Sequence, residues 1–141
     1  MNSYAGKCFC GSIGYDYRTA TAPTDWSIRA CQCAFCRAHD ALSTSDAAGT
    51  LHFHATNLEN LQRYRFALRT ADFLLCRECG VYIGAVIETD QGRFGIINAH
   101  SLGETPADIA DVAPITYASE DRLGRIGRRE TRWTPVTGVP W

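Results

Sequence analysis

The chain contains no long hydrophobic run and no excess of charge of one sign. Its longest apolar stretches, residues 73–76 and 81–87, fall far short of the roughly 20 residues of a transmembrane helix, so we expect no membrane partner. Residues 1–8 lack the apolar stretch of a signal peptide, which predicts a cytoplasmic protein. The 14 basic and 15 acidic residues nearly cancel, to a net charge of -1, so nucleic acid is not an expected partner.

Several enzyme signatures are also missing. There is no His-Glu-x-x-His motif, no glycine-rich phosphate loop, no dinucleotide-binding fingerprint and no Gly-x-Ser-x-Gly elbow. Nucleobase deaminases need His-x-Glu and Pro-Cys-x-x-Cys, but Cys33 follows Gln32 and none of the four histidines precedes a glutamate by two residues. The sequence therefore excludes the enzyme classes that these motifs define.

What is present is the composition and pattern of one mostly β domain. The 141 residues are 45% hydrophobic and 21% charged, which is typical of a single globular core and not of a disordered chain. Large apolar residues stand two apart in residues 13–18 and again at Leu51 and Phe53, which predicts antiparallel strands with one buried face. Residues 90–92 predict a hairpin turn, with Gly92 free to adopt a positive φ.

Little helix is expected. The best candidate begins at Thr105-Pro106-Ala107-Asp108, where Thr105 can cap the first turn and proline suits its first position. In the C-terminal region, Gly124 and Gly127 argue against a long helix. The same region carries five arginines, which we expect to form a solvated surface: Arg122, Arg125, Arg128, Arg129 and Arg132.

The number of cysteines is unusually high for a protein that we expect in the cytoplasm. Thiols stay reduced there and disulfides are rare, so the cysteines need another explanation. The seven cysteines form three tight clusters: Cys8 with Cys10, then Cys31, Cys33 and Cys36, then Cys76 with Cys79. An odd number cannot all pair as disulfides, and a bridge within Cys-x-Cys is strained. Metal binding, with thiolates as zinc ligands, explains the pattern better.

Two partitions of the cysteines fit the spacing. In the first, Cys31, Cys33 and Cys36 leave one zinc position open for chemistry, while Cys8, Cys10, Cys76 and Cys79 close a structural site. In the second, Cys33, Cys36, Cys76 and Cys79 form a ribbon-type site that leaves Cys8, Cys10 and Cys31 over. The gap between the two pairs exceeds the usual 15–20 residues of a ribbon, which favours the first partition without excluding the second.

The cysteine motifs and their surroundings resemble the glutathione-dependent formaldehyde-activating enzyme family. The similar segments are residues 6–15 (GKCFCGSIGY), Cys31-x-Cys33-x-x-Cys36 with Arg37, residues 61–65 (LQRYR), Cys76-x-x-Cys79 with Gly80, and residues 97–98 with 102–106. The resemblance implies a β-tent of antiparallel sheets joined by a structural zinc on Cys8, Cys10, Cys76 and Cys79. It also implies a catalytic zinc on Cys31, Cys33 and Cys36. Residues 1–118 would form this zinc-binding domain, and the Arg-rich residues 119–141 would pack on it or extend from it.

The activity implied by the resemblance is that of a carbon–sulfur lyase similar to S-(hydroxymethyl)glutathione synthase. Its partners would be a small thiol, glutathione as co-substrate, and a small aldehyde such as formaldehyde. Arg37 and His39 are candidates for binding the substrate, since guanidinium groups bind carboxylates and an imidazole can donate a proton. Arg29, Arg63 and Arg65 are further candidate anchors. Solvated surface is the simpler interpretation of each of the four arginines, and a plain surface histidine is an equally good interpretation of His39.

Two departures from the family pattern concern the substrate pocket. Gln32 stands where many members have histidine, and Ala38-His-Asp-Ala replaces a small stretch that contains serine and glycine. Two other functions fit the same cysteines: a noncatalytic zinc-scaffolded binding module, and a thiol or metal sensor with a labile second zinc. Thiol binding that depends on the triplet would distinguish the enzyme from the module.

Overall fold

A computed structural model describes all residues, 1–141, and the chain is mostly β as predicted. The strands are β1 (Asn2–Lys7), β2 (Ile13–Thr19), β3 (Ile28–Cys31), β4 (Ser43–Thr44), β5 (Thr50–Ala55), β6 (Leu61–Tyr64), β7 (Asp72–Cys76), β8 (Tyr82–Thr89), β9 (Gly92–Asn98), β10 (Val112–Ile115) and β11 (Thr134–Gly138). The α-helices are α1 (Ala34–Ala38) and α2 (Arg122–Arg132), and short 3-10 turns cover Pro23–Asp25, Leu58–Asn60 and Ala99–Ser101. Neither α-helix has the length and hydrophobicity to cross a bilayer.

Two antiparallel sets of strands meet at the C-terminal strand. One set runs β1-β2-β5, and the other runs β6-β7-β8-β9. Strand β11 pairs in parallel with β5 and antiparallel with β9, so it joins the two sets. From β9 the order continues through β4 and β3 to β10, which pairs in parallel with β3. The antiparallel sheets agree with the predicted fold class.

The core lies between these sets, and the alternating sequence pattern explains which side chains enter it. Along β2, Tyr15 and Tyr17 are buried while Asp16 and Arg18 face solvent. Phe53 on β5 is buried beside them, and its ring packs edge-on against Tyr15 with centroids 6.1 Å apart. Burial of each such side chain contributes about 1.5–3 kcal/mol. The predicted hairpin is also confirmed, because β8 and β9 pair across residues 90–91 and Gly92 has a φ of 128°.

The two helix predictions were wrong. Residues 105–111 form no helix. Among their apolar side chains, Ile109 and Ala110 pack against the core, which gives no continuous apolar face for a helix. The chain then enters β10, where Pro114 could not continue a helix. Residues 122–132 do form one, in spite of Gly124 and Gly127. The carboxylate of Asp121 caps its first turn by accepting a hydrogen bond from the backbone N–H of Gly124 at 2.8 Å. Capping and tertiary packing outweigh the low propensity of the two glycines.

Candidate metal centres and the cavity beside them

Two tight turns bring four cysteines from distant parts of the chain together. Cys8 and Cys10 lie in the turn between β1 and β2, while Cys76 ends β7 and Cys79 lies in the turn before β8. The four sulfurs lie within 4.8 Å of one another. Gly11 and Gly80, each directly after a pair, have φ near +80°, which lets the backbone turn back toward the sulfurs.

This donor set fits a tetrahedral zinc. Zinc–sulfur bonds of 2.3 Å in a tetrahedron place the sulfurs about 3.8 Å apart. In the structure the Sγ of Cys10 lies 3.7 Å from that of Cys8 and 3.5 Å from that of Cys76. Hydrogen bonds with Ser12 lower the pKa of Cys10 to about 6, whereas burial raises the pKa of Cys76 to about 12. Four adjacent thiols ionise together only beside a cation, because neighbouring thiolates repel.

The other three cysteines form a local cluster at the start of α1. Cys31 ends β3, Cys33 caps the helix, and Cys36 lies buried within it. Their sulfurs also lie within 4.8 Å of one another. Hydrogen bonding from Cys36 lowers the pKa of Cys31 to about 5, and the same interaction raises the pKa of Cys36. The structure therefore groups the sulfurs as four and three, and it separates the pairs that a ribbon-type site would join.

A cavity of about 250 Å³ lies beside the three-cysteine cluster. Its apolar wall includes the aromatic rings of Phe66, Phe73 and Trp133. No acidic residue lines it, but four arginines do: Arg29, Arg125, Arg128 and Arg129. The cavity thus combines sulfur ligands, an apolar wall and concentrated positive charge.

Three of these arginines come from α2, where they follow the three- and four-residue spacing of one helix face. The expectation of a solvated arginine surface is wrong for Arg129, whose side chain is buried, with only 7% of the residue exposed. Burial, followed by the charges of Arg128 and Arg125, lowers the pKa of Arg129 to about 10. The spacing of these arginines is present in the sequence. Gly124 and Gly127, however, argued against the helix that places the three side chains on one face.

The structure keeps the other substrate-binding candidates away from this cavity. Arg37 is exposed on α1 and does not line it. His39 lines a different recess with Asp40 and His100, and its ring packs on Phe35 with centroids 4.5 Å apart. Arg63 and Arg65 both pair with Asp72, at 3.9 and 2.8 Å. Of the arginines that the sequence suggested as anchors, Arg29 alone lines the cavity.

Comparisons with known proteins show what this chain is similar to. The family model "Glutathione-dependent formaldehyde-activating enzyme" matches residues 3–118. The chain is also similar to the crystal structure of a Rhodobacter sphaeroides protein from a structural genomics programme. The two sequences are 28% identical and the TM-score is 0.59, and the match covers 79% of this chain and 99% of that one. No curated protein matches the chain significantly. With most of its length and both cysteine clusters inside the matched region, the chain belongs to the glutathione-dependent formaldehyde-activating enzyme family.

Proposed function

We propose that the protein is a zinc-dependent carbon–sulfur lyase that joins glutathione or a similar thiol to formaldehyde or another small aldehyde as a hemithioacetal. The observation that carries the proposal is the three-cysteine cluster beside a cavity, in a chain of this family. A site with three protein ligands leaves one coordination position for a substrate, whereas four close it. Family membership supports the thiol and the aldehyde as reactants.

The two cysteine clusters would hold two zinc ions with different tasks. Cys8, Cys10, Cys76 and Cys79 would hold a structural zinc that ties the turn after β1 to the turn after β7. Cys31, Cys33 and Cys36 would hold the catalytic zinc. Zinc at the three-cysteine site would keep an incoming thiol ionised at pH 7. A free thiol of pKa about 8.5 is only a few per cent ionised at that pH, so the reactive fraction would rise by up to about thirtyfold.

The chain's own residues would orient the reactants and limit the access of water. The backbone N–H of Cys36 and the sulfur of Cys33 fix the geometry of the triplet through a hydrogen bond of 3.4 Å. Phe66, Phe73 and Trp133 present an apolar wall to the aldehyde, which reduces competing hydration. In the addition, the thiol sulfur bonds to the carbonyl carbon, the carbonyl π pair moves to oxygen, and that oxygen gains the proton that the thiol lost. The reverse reaction breaks the carbon–sulfur bond.

The test is a calorimetric titration of glutathione into protein of known zinc content. Cys36→Ser removes one ligand of the triplet, and Ala38→Ser places the same residue on an exposed position of α1 as the matched control. We expect binding in the wild type and the control but not in Cys36→Ser. Absence of glutathione binding in wild-type protein with two zinc ions would contradict the proposal for glutathione and favour another thiol or a noncatalytic scaffold.

A further inference from the structure

We propose that the four arginines around the cavity form a carboxylate-binding site, which holds an acid group of the substrate beside the three-cysteine cluster. The proposal rests on the proposed function, because it names the class of substrate for that site: a thiol or an aldehyde that carries a carboxylate. Three of the arginines lie on α2, beyond the residues 3–118 that the family model matches. The part of the chain outside the family match would therefore supply three of the four arginines, and Arg29 lies within the match.

The charges of these arginines are only partly balanced within the protein. Glu120 forms the ion pairs of the group, with Arg125 at 3.3 Å and with Arg128 at 2.7 Å. Arg29 donates instead to the hydroxyl of Ser45 at 2.9 Å, and Arg129 donates to the hydroxyl of Thr70 at 2.6 Å. Hydroxyl partners satisfy a hydrogen bond but supply no negative charge. Arg29 and Arg129 therefore retain positive charge that an anion can neutralise.

Arg129 is the strongest indication of a missing partner. It is a buried guanidinium on the cavity wall, and its Nε has no hydrogen-bond partner. Its guanidinium carbon lies 4.7 Å from the centre of the Trp133 ring, which holds the group in place. A buried charge without a counterion is costly, and natural proteins pair such groups or place them where they bind a ligand. A planar guanidinium matches the two oxygens of a carboxylate.

The positive charge of the four arginines exceeds what is needed to neutralise the cysteine thiolates. The four arginines and Glu120 together carry a net charge of about +3, whereas three thiolates around a divalent cation carry about -1. The surplus of about two positive charges corresponds to one substrate thiolate and one carboxylate. The surrounding aromatic wall lowers the local dielectric and strengthens that attraction.

The volume of the cavity limits the ligand that it encloses. At about 250 Å³ it lies just below the range of roughly 300–1,000 Å³ of pockets for drug-sized ligands. A small mercapto acid or oxo acid would fit inside it whole. A larger thiol such as glutathione would insert its sulfur and one carboxylate and leave the rest outside.

The first arm tests the carboxylate site without any thiol chemistry. Propionate and propionamide, which differ only in the acid group, are titrated into zinc-loaded full-length protein and followed by NMR chemical shifts. We expect propionate to bind at least tenfold more tightly than propionamide, and Arg29→Gln and Arg129→Lys each to reduce that ratio severalfold. Arg18→Gln removes a positive charge from the exposed face of β2 outside the cavity and should leave the ratio unchanged.

Two further arms distinguish the source of the carboxylate. Calorimetry with 3-mercaptopropionate and 3-mercaptopropionamide tests an acid on the thiol. Hemithioacetal formation from 2-mercaptoethanol with glyoxylate or with glyoxylamide tests an acid on the aldehyde. A preference for the acid in either pair that falls in Arg29→Gln and Arg129→Lys supports the proposal and names the source.

The outcomes separate this proposal from the proposed function. Equal binding of acid and amide in every pair, or a preference for the acid that survives both arginine substitutions, overturns the carboxylate site. If the arginine substitutions weaken the binding of acid and amide equally and also remove zinc, the carboxylate site is overturned as well. The arginines would then only neutralise the charge of the cysteine thiolates. If no thiol binds but propionate does so through the arginines, the carboxylate site stands and the thiol chemistry fails. Because Arg129 is buried, the partly exposed Arg29 provides the test that depends least on folding.

Discussion

The backbone N–H of Cys36 donates a hydrogen bond to the sulfur of Cys33, 3.4 Å away. This contact spans three residues and belongs to a single turn of chain, so the triplet is a local structure. The four-cysteine cluster is different, since the contact between Cys10 and Cys76 spans 66 residues. The two clusters should therefore respond differently to the loss of a ligand.

Replacement of Cys8 by serine should lower the zinc content and the melting temperature together. This buried sulfur belongs to the cluster that ties two distant turns, and structural zinc contributes directly to the free energy of folding. We expect the loss of several kcal/mol, or a melting temperature lower by about 10 °C or more. Thermal denaturation and metal analysis check this together. A variant with unchanged melting temperature would contradict a structural role for the cluster.

Cys33→Ser should leave the protein folded but reduce the zinc content from two ions to one. Serine is itself a good helix N-cap, so the substitution preserves the cap of α1 while it removes a sulfur ligand. The melting temperature should change by only a few degrees. Metal analysis and circular dichroism provide the measurement. Global unfolding of this variant would show that the triplet is itself needed for the fold, which contradicts its role as a local site.

Asp121→Ala should destabilise α2 by about 1 kcal/mol, because it removes the carboxylate that caps the helix. Asp121→Asn keeps a side-chain oxygen at the same place and serves as the control. The free energy of unfolding from urea titration distinguishes the two. If both variants match the wild type, the cap does not stabilise the helix that carries the cavity arginines.

Glu120→Gln should remove part of the dependence of stability on pH. Hydrogen bonds from Arg128 hold the pKa of Glu120 below its ordinary value, despite partial burial. A carboxyl whose pKa is lower in the folded state stabilises the protein above its unfolded pKa of about 4.3, and this contribution disappears as the pH falls through the lower folded value. The difference in unfolding free energy between wild type and variant should therefore shrink below about pH 4. A difference that is constant from pH 7 to pH 3 would contradict the ion pairs.

Local information in the sequence was enough to predict strands β2 and β5, the hairpin between β8 and β9, and the cysteine clusters. Alternation alone identified the buried faces of β2 and β5, because side chains point to opposite faces of a strand in turn. The turn before Gly92 was equally local. The spacing of the cysteines indicated metal binding and left two partitions, since both satisfy the spacing of neighbouring ligands.

Tertiary structure alone decided the rest. It grouped Cys76 with Cys10 and not with Cys36, because the pairing of strands brings the turn after β1 beside the turn after β7. It also inserted β11 between β5 and β9 and folded a helix through Gly124 and Gly127. Because of that packing, Arg129 lies buried in the cavity wall and not on the solvated surface that the sequence predicted. Such contacts join residues far apart in the chain, and their energy exceeds the local propensities from which a sequence pattern is interpreted.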